Sequence, residues 1–134
     1  MEKVRFMLDT NIVGALFAWN PKAQARFNRH LGATGLSSIV IFELRYGIAN
    51  SRTAKTNAAA LDKFLASGIE IAPLDADDAA EAGALRKRME AKGKPMGHYD
   101  LLIAAHALQL NATLVTSDAA IAGVAGLKVE DWSV

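Results

Sequence analysis

Short apolar segments at residues 4–8, 36–38, 69–74 and 112–116 alternate with longer alanine-rich stretches at residues 22–31, 53–65, 76–92 and 100–110. In the longer stretches Leu, Ala, Arg and Lys recur at helical spacing. A weaker fifth strand signal lies at residues 127–129, and two of the strand segments are apolar on both faces. Strands of that kind belong in the middle of a parallel sheet covered by helices on both sides. The alternation therefore predicts an α/β fold with a mostly parallel central sheet. The stretch GLSSIVIFELRYG is apolar almost throughout. It reads as a short strand, then Ser38 as helix N-cap, a helix from Ile39, and Gly47 as the C-terminal stop. No repeat or linker-like composition interrupts the pattern, so residues 1–134 are expected to form a single domain.

The chain has no cysteine, which removes disulfides and thiolate metal sites. The N-terminal MEKVRFMLD lacks an apolar core of signal-peptide length, and nowhere do about 18 apolar residues run together. A cytoplasmic protein without a membrane segment is the expectation. The net charge of +1 is uninformative, but RKRMEAKGK gathers Arg86, Lys87, Arg88, Lys92 and Lys94 around Glu90. Such a run can track a phosphate backbone, or it can simply be a solvated helix face.

Four carboxylates fall where such a fold exposes its ligand crevice, beyond the carboxyl ends of the strands. Asp9 ends the first strand in VRFMLDTNIV, and Asp118 follows ATLVT by one residue. Glu43 lies a helical turn beyond the second strand, and Asp100 opens the helix that feeds the fourth. Each has an ordinary alternative: Asp9 and Asp118 can cap helices, and Asp100 suits a helix dipole. Glu43 is harder to explain that way, because it sits among Ile39, Ile41, Phe42 and Leu44. Carboxylates converging without cations repel one another and raise one another's pKa values. A hard divalent cation such as Mg²⁺, held by one or two carboxylates and a substrate phosphate, resolves that conflict. Thr10 and Asn11 can then orient Asp9 or touch a phosphate. The histidines His30, His98 and His106 show no zinc-like spacing, and His106 on its apolar helix reads as a satisfied core residue. No Gly-rich phosphate loop or nucleophile elbow is present.

Four stretches now fit one pattern: MLDTNI, SSIVIFELRYG with Glu43, KGKPMGHYDLLIAAHAL with Asp100, and ATLVTSD followed by GLKVEDW. Along nearly its whole length the chain resembles a PIN-domain ribonuclease, specifically a VapC-type toxin of a type II toxin–antitoxin system. It departs from that pattern at Ser117-Asp118-Ala119-Ala120, where relatives often carry an acidic-Phe pair.

The resemblance implies a PIN-like three-layer α/β/α sandwich and an endoribonuclease dependent on Mg²⁺, with Mn²⁺ able to substitute. It implies Asp9 and Asp100 as metal ligands, Glu43 and Asp118 completing the catalytic acidic site, and Asn11 and Thr116 as supports. Arg86, Arg88, Lys92, Lys94 and His98 are the expected substrate contacts. The implied partners are an RNA, with initiator tRNA cut in its anticodon loop as the specific expectation, and a VapB-like antitoxin. A homodimer and a hetero-oligomer with the antitoxin are also implied. Ile12, Leu16, Phe17, Trp19, Phe42 and Tyr46 are expected to line the antitoxin groove or, for about half of them, to pack the core. The competing reading is a catalytically inactive PIN-like module that binds RNA or protein.

Overall fold

The computed structural model describes residues 4–134. The opening Met-Glu-Lys of the N-terminal stretch read above lies outside the described residues. Five strands, β1 (Phe6–Leu8), β2 (Thr34–Ser37), β3 (Glu70–Ala72), β4 (Thr113–Val115) and β5 (Val129–Glu130), pair in the order β3-β2-β1-β4-β5. Every pairing is parallel. The crossovers carry helices α1 (Thr10–Phe17), α2 (Pro21–His30), α3 (Ser38–Ala49), α4 (Ala54–Leu65), α5 (Ala76–Ala91) and α6 (His98–Gln109). The chain steps outward from β1 to β2 to β3, then returns to β4 on the other side of β1. Right-handed crossovers therefore place α1–α4 on one face and α5–α6 on the other, giving the expected α/β/α sandwich. Met7, Leu8, Leu36 and Leu114 in the sheet and Val13 and Ile103 from the helices are fully buried. No helix among the described residues is long and apolar enough to cross a membrane.

The reversal of direction at β1 matters most for function. Connections leave β1 and β4 toward opposite sides, so their carboxyl ends are where a parallel sheet of this kind places its ligand site.

Two boundaries in GLSSIVIFELRYG differ from the sequence reading. Ser37, not Ser38, caps α3, its Oγ accepting from the Ile39 amide at 3.1 Å. Ser38 Oγ instead accepts from the Leu74 amide at 3.1 Å, tying the start of α3 to the segment after β3. The helix also runs through Gly47 to Ala49. Gly47 has open space around it and needs no special backbone angle, so it costs the helix about 1 kcal/mol relative to alanine without ending it. Strand β2 begins at Thr34, earlier than its apolar signal, because Gly35 is a packing glycine. A Cβ there would lie 3.0 Å from the Val4 side chain and 3.1 Å from the Glu70 carbonyl oxygen.

His106 is buried between two polar groups, as its apolar helix suggested. Its Nδ1 lies 2.8 Å from Ser37 Oγ and its Nε2 lies 3.4 Å from Asp78 Oδ2. The tautomer that satisfies both partners carries its proton on Nε2, with the Ser37 hydroxyl donating to Nδ1. Asp78 Oδ2 also accepts from the Asp75 amide at 2.9 Å, within the capping box that opens α5. This Ser–His–Asp chain is sealed from solvent, so it binds β2, α5 and α6 together and offers no nucleophile.

Burial lowers the His106 pKa, against the opposing pull of Asp78 and Asp75. The folded chain thus holds a neutral imidazole, whereas the unfolded chain takes up a proton below about pH 6.5. This stabilisation is complete above that pH and shrinks as pH falls toward the lower folded-state value. Thermal melts from pH 7.5 to 5.5 should show a falling Tm. His106→Gln should melt lower throughout but with a shallower slope, and parallel curves for the two proteins would assign the acid sensitivity elsewhere.

Candidate metal centre

Asp9 stands at the tip of β1 and is almost fully buried. It is the N-cap of α1, as the ordinary reading of a strand-end Asp allows, with Oδ1 accepting from the Thr10 amide at 2.8 Å. Its Oδ2 accepts from Thr116 Oγ1 at 2.7 Å and from Asn11 Nδ2 at 3.4 Å. Thr116, directly after β4, forms a junction. Its Oγ1 also accepts from Asn11 Nδ2 at 3.2 Å and from the Asp118 amide at 3.0 Å. The Asn11 side-chain Oδ1 accepts from the Ser117 amide at 3.1 Å. Asn11 and Thr116 thereby lock the β1 and β4 tips together around one carboxylate, consistent with a supporting role.

The other acids arrive from separate elements. Glu43, half-buried on α3, accepts from Thr10 Oγ1 at 2.6 Å. The sequence reading gave Thr10 a general orienting part; its partner is Glu43, which the primary structure places 33 residues away. Asp118 is half-buried and accepts from the Ala120 amide at 2.9 Å, in the turn before a short 3₁₀ segment at Ile121–Gly123. That turn buries Ile121 and Val124 in the core. Asp100 lies in the first turn of α6.

Desolvation pushes the Asp100 carboxyl above the usual carboxylate range, and the charges of Asp9, Asp118 and Glu43 push it further. All four predicted acids therefore share one electrostatic neighbourhood. Among the described residues none of the four is ion-paired to a Lys or Arg.

The donor set suits a hard cation. It is all oxygen, it carries excess negative charge, and its most perturbed member has no compensating cation. Among the described residues no three His, Asp or Glu side chains alone form a group that could hold a metal ion. Much of the carboxylate capacity is committed to hydrogen bonds with Thr10, Asn11, Thr116 and Ala120. This still fits Mg²⁺, which keeps several waters and typically takes only one or two protein carboxylates plus substrate phosphate.

The predicted basic contacts are less uniform. Arg86 pairs with Glu90 at 3.1 Å and Arg88 with Glu81 at 3.0 Å, both on the exposed face of α5. To that extent the run is a self-compensated helix face. Lys92 and Lys94 are exposed in the turn between α5 and α6, which delivers the chain to Asp100. His98 is exposed at the start of α6 and shares a cleft of about 280 Å³ with Arg86.

The apolar residues expected to line one groove separate into three groups. Ile12 is wholly in the core. Leu16, Phe17 and Trp19 line a groove of about 470 Å³ with Phe27 and Phe64, between α1, α2 and α4. Phe42 and Tyr46 are exposed on α3, outside that groove.

The family model for the PIN domain matches residues 6–127. The chain belongs to the PIN-domain family. This PIN-domain chain is 38% identical to ribonuclease VapC2 of Rickettsia felis, with 95% of this chain and 97% of that protein covered. It is 35% identical to the tRNA(fMet)-specific endonuclease VapC of Shigella flexneri, covering 97% and 99% respectively. Among solved structures, the DNA-bound VapBC of Salmonella typhimurium matches with a TM-score of 0.90 at 32% identity, over 96% of this chain and 98% of that one. The four acids of this chain thus sit on a fold shared with proteins named as ribonucleases.

Proposed function

We propose that this chain is a divalent-metal-dependent endoribonuclease, the toxin of a VapBC-type toxin–antitoxin module, acting as a single domain over residues 1–134 in the cytoplasm. The observation that carries the reading is the Asp9 carboxylate, held at the β1 tip by Thr10, Asn11 and Thr116 while Thr10 also holds Glu43 of α3. Burial and the charges of Asp9, Asp118 and Glu43 raise the Asp100 pKa in the same neighbourhood. Relatives similar over nearly their full length bear ribonuclease names, which supports the same chemistry here.

Asp9 and Asp100 would hold the ion, with Mg²⁺ the expected species and Mn²⁺ a substitute. When bound, such an ion polarises the phosphodiester and steadies charge on the departing oxygen. Asn11 and Thr116 fix the Asp9 carboxylate against reorientation. Glu43, oriented by Thr10, accepts a proton from the attacking water as its oxygen bonds phosphorus and the ester oxygen leaves. Asp118 adds negative charge that favours cation capture. Hydrolysis by water makes no use of the ribose 2′-OH, so preference for RNA rests on shape and on unpaired bases. Arg86, Arg88, Lys92, Lys94 and His98 would grip the flanking phosphates, with Lys92 and Lys94 the freest to do so.

The antitoxin would occupy the groove of Phe17, Trp19, Phe27 and Phe64, a partner class supported by the VapBC complex that this chain resembles. Assembly as a homodimer that joins the antitoxin in a hetero-oligomer is part of the same reading.

The name of the Shigella relative supports initiator tRNA as substrate, and the anticodon loop is where its bases are unpaired. Sequencing RNA 5′ ends after brief expression in the native host tests this. Cuts concentrated in one tRNA anticodon loop are expected; cuts spread over messenger RNA or confined to ribosomal RNA would reject that substrate.

A further inference from the structure

Two aromatic side chains meet between α3 and α6, the helices that carry Glu43 and Asp100, and are used by neither the fold nor the chemistry above. Phe42 of α3 immediately precedes Glu43, and Tyr99 of α6 immediately precedes Asp100. Their ring centroids lie 5.3 Å apart with the planes tilted by 51°. Yet Phe42 is 50% exposed and Tyr99 48%, so the pair is not core. Tyr46, one helical turn beyond Phe42, extends the strip and is exposed too.

We propose that Phe42 and Tyr99 form a stacking clamp for one unpaired nucleobase next to the phosphate held by the acidic site. The proposal rests on the ribonuclease reading and adds a specificity-determining contact to it. The choice of occupant follows from position and chemistry. The rings meet between α3 and α6, and Glu43 and Asp100 come from the same turns of those two helices, so the ring pair and these two acids border one helix–helix seam. A cation held by these carboxylates would draw a phosphodiester, and the flat apolar group nearest a phosphodiester in a nucleic acid is a base. Only an unpaired, unstacked base has a free face to offer. Stacking on aromatic rings tolerates any base, so the clamp selects loop geometry and leaves sequence to other contacts. Two rings from different helices also make the contact sensitive to the spacing of α3 and α6, and hence of Glu43 and Asp100.

The test measures KM for cleavage of a labelled RNA stem-loop by the full chain, for wild type, Tyr99→Leu, Tyr99→Phe and Phe42→Leu. Each is assayed against the intact loop and against loops with an abasic site at successive positions. Leucine keeps apolar bulk while removing the ring. Each leucine variant should raise KM by on the order of tenfold, and Tyr99→Phe should restore the wild-type value. At one loop position the abasic site should raise the wild-type KM by a similar factor and add nothing in the leucine variants, a coupling that general loosening of the fold cannot produce. Effects that multiply at every position would overturn the clamp while leaving the nuclease intact. A change of molar mass by light scattering in the leucine variants, without that coupling, would also overturn it, because the rings would then be a contact between copies of the chain. A wild-type chain that cuts no RNA with Mg²⁺ or Mn²⁺ would sink the ribonuclease reading itself and the clamp with it.

Discussion

Asp9→Asn and Asp100→Asn should each lower RNA cleavage by at least about a hundredfold, since even the outer-shell partners of metal ligands are worth about ten- to a hundredfold. The two variants should differ in stability. Asp9 accepts hydrogen bonds from Thr10, Asn11 and Thr116. An amide keeps one acceptor oxygen but sets its NH₂ against donors, so Asp9→Asn should melt slightly lower than wild type. Asp100 behaves oppositely. Its folded-state pKa is raised, so the group favours folding while protonated, and that contribution is lost as pH rises through the folded value. At neutral pH without divalent metal it is a net liability. Asp100→Asn should therefore raise Tm under those conditions, by a few degrees at most because solvent screens a half-exposed carboxylate. Added Mg²⁺ should stabilise wild type and leave Asp100→Asn nearly unmoved. Melting curves and single-turnover cleavage on the same preparations check both halves. Cleavage by Asp100→Asn near the wild-type rate, free of host ribonuclease, would show the assignment wrong.

The second large effect concerns stability alone. Trp132 is fully buried near the end of the chain, with its ring centroid 5.3 Å from Phe6 and 5.5 Å from His30. Its indole nitrogen donates to Glu130 Oε1 at 3.0 Å, on the last residue of β5. The side chain thus pins the segment after β5 to β1, the strand that carries Asp9. Trp132→Ala removes the largest fully buried side chain and should cost about 3–5 kcal/mol. For a domain of this size that is a fall in Tm on the order of 10–20 °C. Because the hydrogen bond of Trp132 goes to Glu130 and its ring contacts to Phe6 and His30, cleavage well below the new Tm should stay within a few-fold of wild type. A Tm within about 3 °C of wild type would contradict the packing account.

Much of this architecture is legible in the sequence because strand and helix signals alternate with little ambiguity. All five strand segments and the four alanine-rich helices fall within a few residues of their observed places. The four acids are separable from ordinary caps only jointly: Asp9 does cap α1, whereas the segment after Asp118 is a 3₁₀ turn without a side-chain cap, and Asp118 accepts from the Ala120 amide instead. What the sequence hides is tertiary. Ser37 and Ser38 are equally good N-caps on paper, and the Leu74 amide decides which of them is free to cap. Gly47 looks like a stop, yet nothing in a linear pattern distinguishes a tolerated helical glycine from a terminal one. The Thr10–Glu43 and Ser37–His106–Asp78 bonds join distant elements, and no local spacing announces them. Phe42 and Tyr46 share apolar character with Leu16 and Phe17, so only the orientation of α3 shows that they face a different surface.

On the proposed function, the acids at the β1 tip, on α3 and α6 and in the turn after β4 serve one divalent cation in cutting RNA. Cleavage of a labelled RNA stem-loop by purified wild-type chain, first in EDTA and then across a titration of Mg²⁺ and Mn²⁺, tests it most directly. No cleavage in EDTA, with activity rising saturably with either ion and absent from Asp9→Asn at every concentration, is the predicted result. Cleavage that persists in EDTA, or that Asp9→Asn matches at any metal concentration, would contradict it.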